Sequence, residues 1–242
     1  MTATRPPELP DPRPRPEKDA ALVREMFDRV APRYDLANTV LSLGQDRRWR
    51  RAAAHAAGVR PGSLVLDVAS GTGMLARDLR AAGAQVMAVD FSWPMLAVGA
   101  ARSDRQRVLW CNGDGMRLPL RDATFDSVTI AFGLRNLPDT RAGLNELARV
   151  TKPGGRLVIL EFSSPVWPPF AGLYRRYLRA VVPWMADVVS SSPAAYRYLA
   201  ESILAWPDQA NLARLIASAG WERARWRNLS GGIVAVHQAH RQ

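Results

Sequence analysis

The apolar positions change period along the chain, and those changes divide it. From Ala20 to Val30, residues Leu22, Val23, Met26, Phe27 and Val30 recur at helical spacing. Pro32 breaks the pattern. Asp35 is placed to cap a second helix running toward Leu43, which Gly44 ends, and a third helix is expected from Asp46 to about Ala57. The period then shortens. Leu64–Val68, Gln85–Asp90, Val108–Cys111, Ser127–Ala131 and Arg156–Phe162 are short apolar runs that read as buried strands. Helical stretches fall between them: Met74–Arg80, Pro94–Ala101 with Ser92 as its cap, and Thr140–Val150, after which Lys152-Pro153-Gly154-Gly155 reads as a turn. Strands alternating with helices predict an α/β fold with a doubly wound, mostly parallel sheet. Its ligand belongs at the carboxyl ends of the strands, near the switch in strand order.

Beyond the fifth strand the alternation stops. An excursion from Pro165 to about Glu201 carries Trp167, Phe170, Tyr174, Tyr177, Trp184, Tyr196 and Tyr198, with a helix expected over Leu173–Val182. Pro207-Asp208 opens a helix to about Ala219, stopped by Gly220. Glu222–Asn228 and Gly232–His237, joined through Ser230-Gly231-Gly232, then form a hairpin, giving seven strands with an antiparallel end. Residues 1–18 are rich in proline and arginine, lack periodicity and read as a disordered tail. The organisation expected is thus a tail over 1–18 and one domain over 19–242. Within it, 19–58 forms a helical lid over the open end of the sheet, and 165–201 a helical insertion on the substrate side.

Composition narrows the setting. A chain of 242 residues, 48% hydrophobic, suits one full core. Cys111 is the single cysteine, so no internal disulfide can form and a reducing cytoplasm is the natural compartment. His55, His237 and His240 are scattered, without neighbours at ligand spacing, and no metal site is expected. No secretory leader is visible, and the apolar stretch Leu178–Val189 is broken by Arg179, Pro183 and Asp187, too short to span a membrane. The net charge of +11, densest at Arg47-Arg48-Trp49-Arg50-Arg51, fits solvated faces, nucleic acid or an anionic membrane surface. No RNA-binding module surrounds that cluster, so nucleic acid is not expected and a peripheral membrane contact is the better reading of a partner. Rings beside Arg175, Arg176 and Arg179 in the excursion also suit an interface, against the competing reading of an ordinary packed insertion.

The chemistry gathers at the first strand. Asp67-Val68-Ala69-Ser70-Gly71-Thr72-Gly73 joins it to a helix; Gly71 and Gly73 permit a sharp turn and close approach of a ligand, and the helix N-terminus adds free N–H groups. Gly71-x-Gly73-x-x-Ala76 also satisfies the dinucleotide fingerprint, which keeps an NAD-binding oxidoreductase open as a remote alternative. The acids weigh against it. Asp90, closing the second strand, can accept from both hydroxyls of a ribose. Asp114, after the third, can accept from an adenine amino group, and Gly115 leaves room for the ring. With Asp67 they form an acidic rim that repels a pyrophosphate but suits S-adenosylmethionine, which carries a sulfonium and an ammonium group and no phosphate. This set resembles the class I S-adenosylmethionine-dependent methyltransferases.

Longer motifs sharpen the resemblance. Met26-Phe27-Asp28-Arg29-Val30-Ala31-Pro32-Arg33-Tyr34-Asp35, Phe132-Gly133-Leu134-Arg135-Asn136 and Tyr196-Arg197-Tyr198-Leu199-Ala200-Glu201-Ser202-Ile203 are similar to the ubiquinone/menaquinone-biosynthesis C-methyltransferases, as are Pro207-Asp208-Gln209 and Gly232–His237. The resemblance spans about Leu22 to His240. It implies S-adenosylmethionine contacts at Thr72, Asp90, Asp114 and Gly115. A family serine is Ala131 here, so that hydroxyl contact is missing. It implies C-methylation of a prenylated quinol, demethylmenaquinol first among the substrates, with a benzoquinol or another lipid or small-molecule acceptor as the alternative; a homo-oligomer is compatible with it. Arg135 then has two readings, stabilising a phenolate or forming a salt bridge under the cofactor. Asn136 and Tyr34 are candidates for positioning or proton relay, as are Asp35 and Tyr196.

Overall fold

The computed structural model describes residues 20–31, 34–102, 108–182 and 193–242. The expected tail over 1–18 lies outside the described residues, as do Trp184 and the rest of 183–192.

Three helices come first: α1 (Ala20–Val30), α2 (Tyr34–Leu41) and α3 (Gln45–Ala56). The core follows as β1 (Leu64–Val68), α4 (Met74–Ala81), β2 (Gln85–Asp90), α5 (Trp93–Ala101), β3 (Val108–Asn112), β4 (Phe125–Ala131), α6 (Thr140–Val150) and β5 (Thr151–Phe162). Next come α7 (Pro168–Arg176), continued by a π-helical turn at Tyr177–Val181, and α8 (Pro193–Ala205). The chain then forms α9 (Gln209–Ser218), β6 (Trp221–Leu229) and β7 (Val234–Arg241).

The seven strands form one sheet in the order β3-β2-β1-β4-β5-β7-β6. The first five are parallel, and β7 runs antiparallel to both β5 and β6. This is the expected doubly wound sheet with a C-terminal antiparallel hairpin. Period-two alternation in β1 serves both faces: Leu66 and Val68 join a core with Leu144, Leu147, Leu212 and Ile216 of α6 and α9, while Val65 joins Ala53, Leu75 and Leu79 of α3 and α4.

Local chemistry accounts for most boundaries. Ser92 caps α5, accepting from the Met95 N–H, with Pro94 in the first turn. Asp139 caps α6 and Asp208 caps α9 in the same way. Three readings need correction. Asp35 does not cap α2; it lies inside the first turn and its carboxylate is used elsewhere. Lys152–Gly155 lies within β5 as a looped-out irregularity, because pairing with β4 begins at Thr151↔Phe125 and resumes at Arg156↔Ser127, with Gly154 at φ 73° supplying the reversal. The insertion helix starts at Pro168, where two prolines fit the first helical turn, rather than at Leu173.

Candidate active site

The strand order reverses between β1 and β4, and a cavity of about 390 Å³ opens at their carboxyl ends. Gly71, Asp90, Asp114, Gly115, Tyr34 and Asn136, all singled out in the sequence, line it. Val23, Arg24 and Phe27 of α1 cover it, and Ala131, Phe132 and Gly133 form its β4 wall.

The floor is backbone held by carboxylates. Gly71 adopts φ 56°, a left-handed conformation suited to glycine, and its N–H donates to Asp90 Oδ2 at 2.7 Å. The Ser92 N–H donates to Asp90 Oδ1 at 2.8 Å. Asp90 is only 5% exposed, and burial pushes its carboxyl up to about 6 against those two hydrogen bonds, with the Asp28 carboxylate adding to the rise. Asp114 Oδ1 accepts from the Met116 N–H at 2.8 Å, which fixes the loop after β3. A Cβ on Gly115 would stand 3.3 Å from Leu137 and from Val68, so glycine keeps that wall close and flat.

Four residues named in the sequence stand behind the wall. The Thr72 hydroxyl donates to Asp35 Oδ1 at 2.5 Å and is buried. Gly73, φ 74°, caps α4, and a Cβ there would meet the Trp110 ring at 2.3 Å. Asp67 faces α3; one oxygen accepts from the Thr129 hydroxyl at 2.7 Å, the other is buried without a hydrogen bond, and burial pushes the carboxyl up to about 7 against that bond and the charge of Arg50. Arg135, 4% exposed, pairs with buried Glu161 at 2.8 Å, and its Nη1 also donates to the Phe132 carbonyl at 2.6 Å. The guanidinium charge of Arg135 thus stands next to the Glu161 carboxylate.

Two features of the site are not marked by the periodicity of the sequence. Ala69 and Phe132, at the ends of β1 and β4, adopt φ 50° and 58°, a conformation costly for residues with a Cβ. They adjoin, because a Cβ on Gly133 would lie 2.4 Å from that of Ala69. The second feature is a pair of latches. Asp28 and Asp35 accept from the hydroxyls of Ser92 and Thr72, both at 2.5 Å, so α1 and α2 are tied to the two loops that the Asp90 carboxylate joins. Asp35 also pairs with Arg102 at 2.7 Å. Their seven-residue spacing in one motif, flanking Pro32, was the available hint.

Two motifs distant in sequence meet here. Tyr198 Oη donates to Asn136 Oδ1 at 3.1 Å, and Arg135 Nε donates to Ser202 Oγ at 3.4 Å. Tyr198 and Ser202 are four apart on α8 and share a face.

The strand order and the C-terminal antiparallel hairpin are those of the class I methyltransferase fold. Solved structures agree on the fold. A possible histamine N-methyltransferase from Thermotoga maritima superposes with a TM-score of 0.65 at 18% identity, covering 90% of this chain and 99% of that one. The methyltransferase complexed with the Haloferax volcanii activator Trm112 gives 0.65 at 18% identity, over 88% and 96%. The chain belongs to the ubiE/COQ5 methyltransferase family, whose pattern it matches over residues 15–241. It is 58% identical over 225 residues to a demethylmenaquinone methyltransferase of Mycolicibacterium paratuberculosis, covering 93% of this chain and 96% of that protein. A protein of the same name from Streptomyces griseus is 54% identical over 225 residues, 93% and 97% of the two chains.

Proposed function

We propose that this chain methylates a ring carbon of a prenylated quinol, converting demethylmenaquinol to menaquinol with S-adenosylmethionine as methyl donor. The observation that carries the reading is the 58% identity to a protein named for that reaction, maintained across 93% of the chain.

The residues present fit the donor. Asp90 would hold the ribose hydroxyls and Asp114 the adenine amino group, with Gly71 and Gly115 admitting the ligand where a Cβ would intrude. S-adenosylmethionine, when bound, supplies a methyl group already activated by its sulfonium. The protein's task is then to hold the acceptor carbon in line with that methyl and to exclude water. Tyr34 and Asn136 line the cavity and are placed to orient the acceptor hydroxyls, while α1 and α2 close over it. Thr72 and Arg135 support the wall from behind: Thr72 through Asp35, and Arg135 through the Phe132 carbonyl.

A prenylated acceptor calls for access to a membrane. No helix among the described residues is long and apolar enough to cross one. Leu36, Val40 and Leu43 are exposed along one side of α2 and its C-terminal turn, with exposed Arg47, Arg48 and Arg51 following on α3. Val166, Trp167 and Leu173 are exposed beside Arg175 and Arg176. The arrangement supports peripheral contact with an anionic surface at the inner face of the cell membrane. Flotation with phosphatidylglycerol vesicles tests it; protein left at the bottom of the gradient removes the contact.

The function itself is tested by methyl transfer from labelled S-adenosylmethionine to reduced demethylmenaquinone and to a reduced demethylated ubiquinone precursor, side by side. Label on the naphthoquinol is the expected result. Binding of the donor without transfer to either quinol overturns the proposal.

A further inference from the structure

We infer that Tyr198 and Glu161 are positioning residues for the acceptor, holding the β4 wall of the cavity through two chains of contacts. The inference rests on the proposed function.

Asp114 follows β3 and Phe132 follows β4. In the order β3-β2-β1-β4 they lie three strand spacings apart, roughly 14 Å at about 4.8 Å each. The acids that would take adenine and ribose stand at the β3 and β2 end. The adenosine moiety therefore fills that end, and the methyl group and its acceptor are left with the β4 end, where Phe132, Gly133 and Asn136 line the wall.

That wall does not hold itself. Phe132 sits at φ 58°, and its carbonyl accepts from Arg135 Nη1 at 2.6 Å and Asn136 Nδ2 at 3.4 Å. Arg135 is in turn gripped by Glu161 of β5, which has no exposure, accepts from Arg135 Nη1 at 2.8 Å and takes the Arg135 and Phe162 backbone N–H groups at 3.3 and 2.9 Å. The Phe162 ring lies 5.2 Å under the Arg135 guanidinium and 4.9 Å from the Phe132 ring. Tyr198 of α8 donates to Asn136 Oδ1, so the amide whose Nδ2 reaches the Phe132 carbonyl is itself held at its oxygen. Glu161 thus acts on the wall through Arg135 and Phe132, and Tyr198 acts on it through Asn136. Neither lines the cavity.

The test is Tyr198→Phe, which removes one hydroxyl and keeps the ring, alongside Glu161→Gln. Donor affinity is measured by calorimetry, and steady-state methyl transfer is measured with reduced demethylmenaquinone of short prenyl chain. For Tyr198→Phe the acceptor KM is expected to rise on the order of fivefold to tenfold, with donor Kd within about twofold of the parent. Glu161→Gln is expected to move the same parameter, and the double variant to fall short of the product of the two, because both act on one wall. An unchanged acceptor KM in Tyr198→Phe overturns the inference. So does a parallel loss of donor affinity and melting temperature in both variants, which marks a structural role. If Glu161→Gln fails to fold, the Tyr198→Phe result decides. A parent chain that binds donor but methylates no quinol overturns the proposed function itself, an outcome told apart by the inactivity of the parent.

Discussion

The Thr72 hydroxyl donates to Asp35 Oδ1 at 2.5 Å, joining α2, whose Tyr34 lines the cavity, to the glycine turn that forms its floor. With Asp28 on Ser92, it makes the covering helices dependent on the same two loops that would grip the donor. Asp35→Ala leaves the Thr72 hydroxyl and Arg102 without this carboxylate. Donor affinity is expected to weaken about tenfold and α2 to become more open to limited proteolysis, since hydrogen bonds to a charged group are worth about 1.5–3 kcal/mol. Calorimetry and timed trypsin digestion check both; wild-type affinity would unlink the latch from the site.

Asp90 gives a pH dependence. Its carboxyl is pushed up to about 6, chiefly by burial. The ionised form is the better acceptor for ribose hydroxyls, so donor affinity is expected to fall as pH drops through about 6, approaching tenfold per unit below it. Asp90→Asn should bind weakly at every pH and lose the dependence. Titrations at pH 5, 6, 7 and 8 decide, and a flat wild-type profile excludes Asp90 as a ribose acceptor.

Asp67 acts on stability with a definite sign. Its carboxyl rises from 3.8 to about 7 on folding, so the folded state holds the proton more tightly than the unfolded chain. That contribution is present in full below about pH 4 and is lost as pH rises through about 7. Between pH 5 and 8 this group alone should cost about 2–3 kcal/mol. Urea denaturation of the wild type and Asp67→Asn at both values isolates it, since the variant lacks this component of the slope.

Arg135→Ala strands the carboxylate of Glu161 in the interior. Breaking a buried pair by removing one partner typically costs about 3–5 kcal/mol. The variant is expected to melt well below the wild type, and loss of turnover in it should be accompanied by loss of stability. Full thermal stability with collapsed turnover would return Arg135 to direct contact with the acceptor.

Much of this was legible in the sequence, for a physical reason. Strand and helix periods are local, so Gln85–Asp90 and Thr140–Val150 could be placed to the residue, and Ser92 could be recognised as a cap. The acids of the cavity follow from their positions at strand ends. Long-range partnership was not legible. Nothing local to Asp35 says that its carboxylate is taken by Thr72, or to Arg135 that Glu161 neutralises it. Glu161 sits in an apolar run where periodicity registers only a strand. The two motifs most specific to the family, around Phe132–Asn136 and Tyr196–Ile203, could each be noticed, but their contact through Asn136 and Tyr198 is a property of the folded chain.

The placement of β7 between β5 and β6 bears on how the protein is made. β7 is the latest of the seven strands to be synthesised, yet it has a neighbour on both sides, whereas β6, made before it, pairs only with β7. On the ribosome β5 is therefore an unfilled edge, and β6 has nothing to join, until Val234–Arg241 has emerged. Nascent chains stalled before that point present an open strand of Leu157, Val158, Ile159 and Leu160, the kind of edge that templates aggregation. β7 is thus the strand whose arrival gives both β5 and β6 their antiparallel partner.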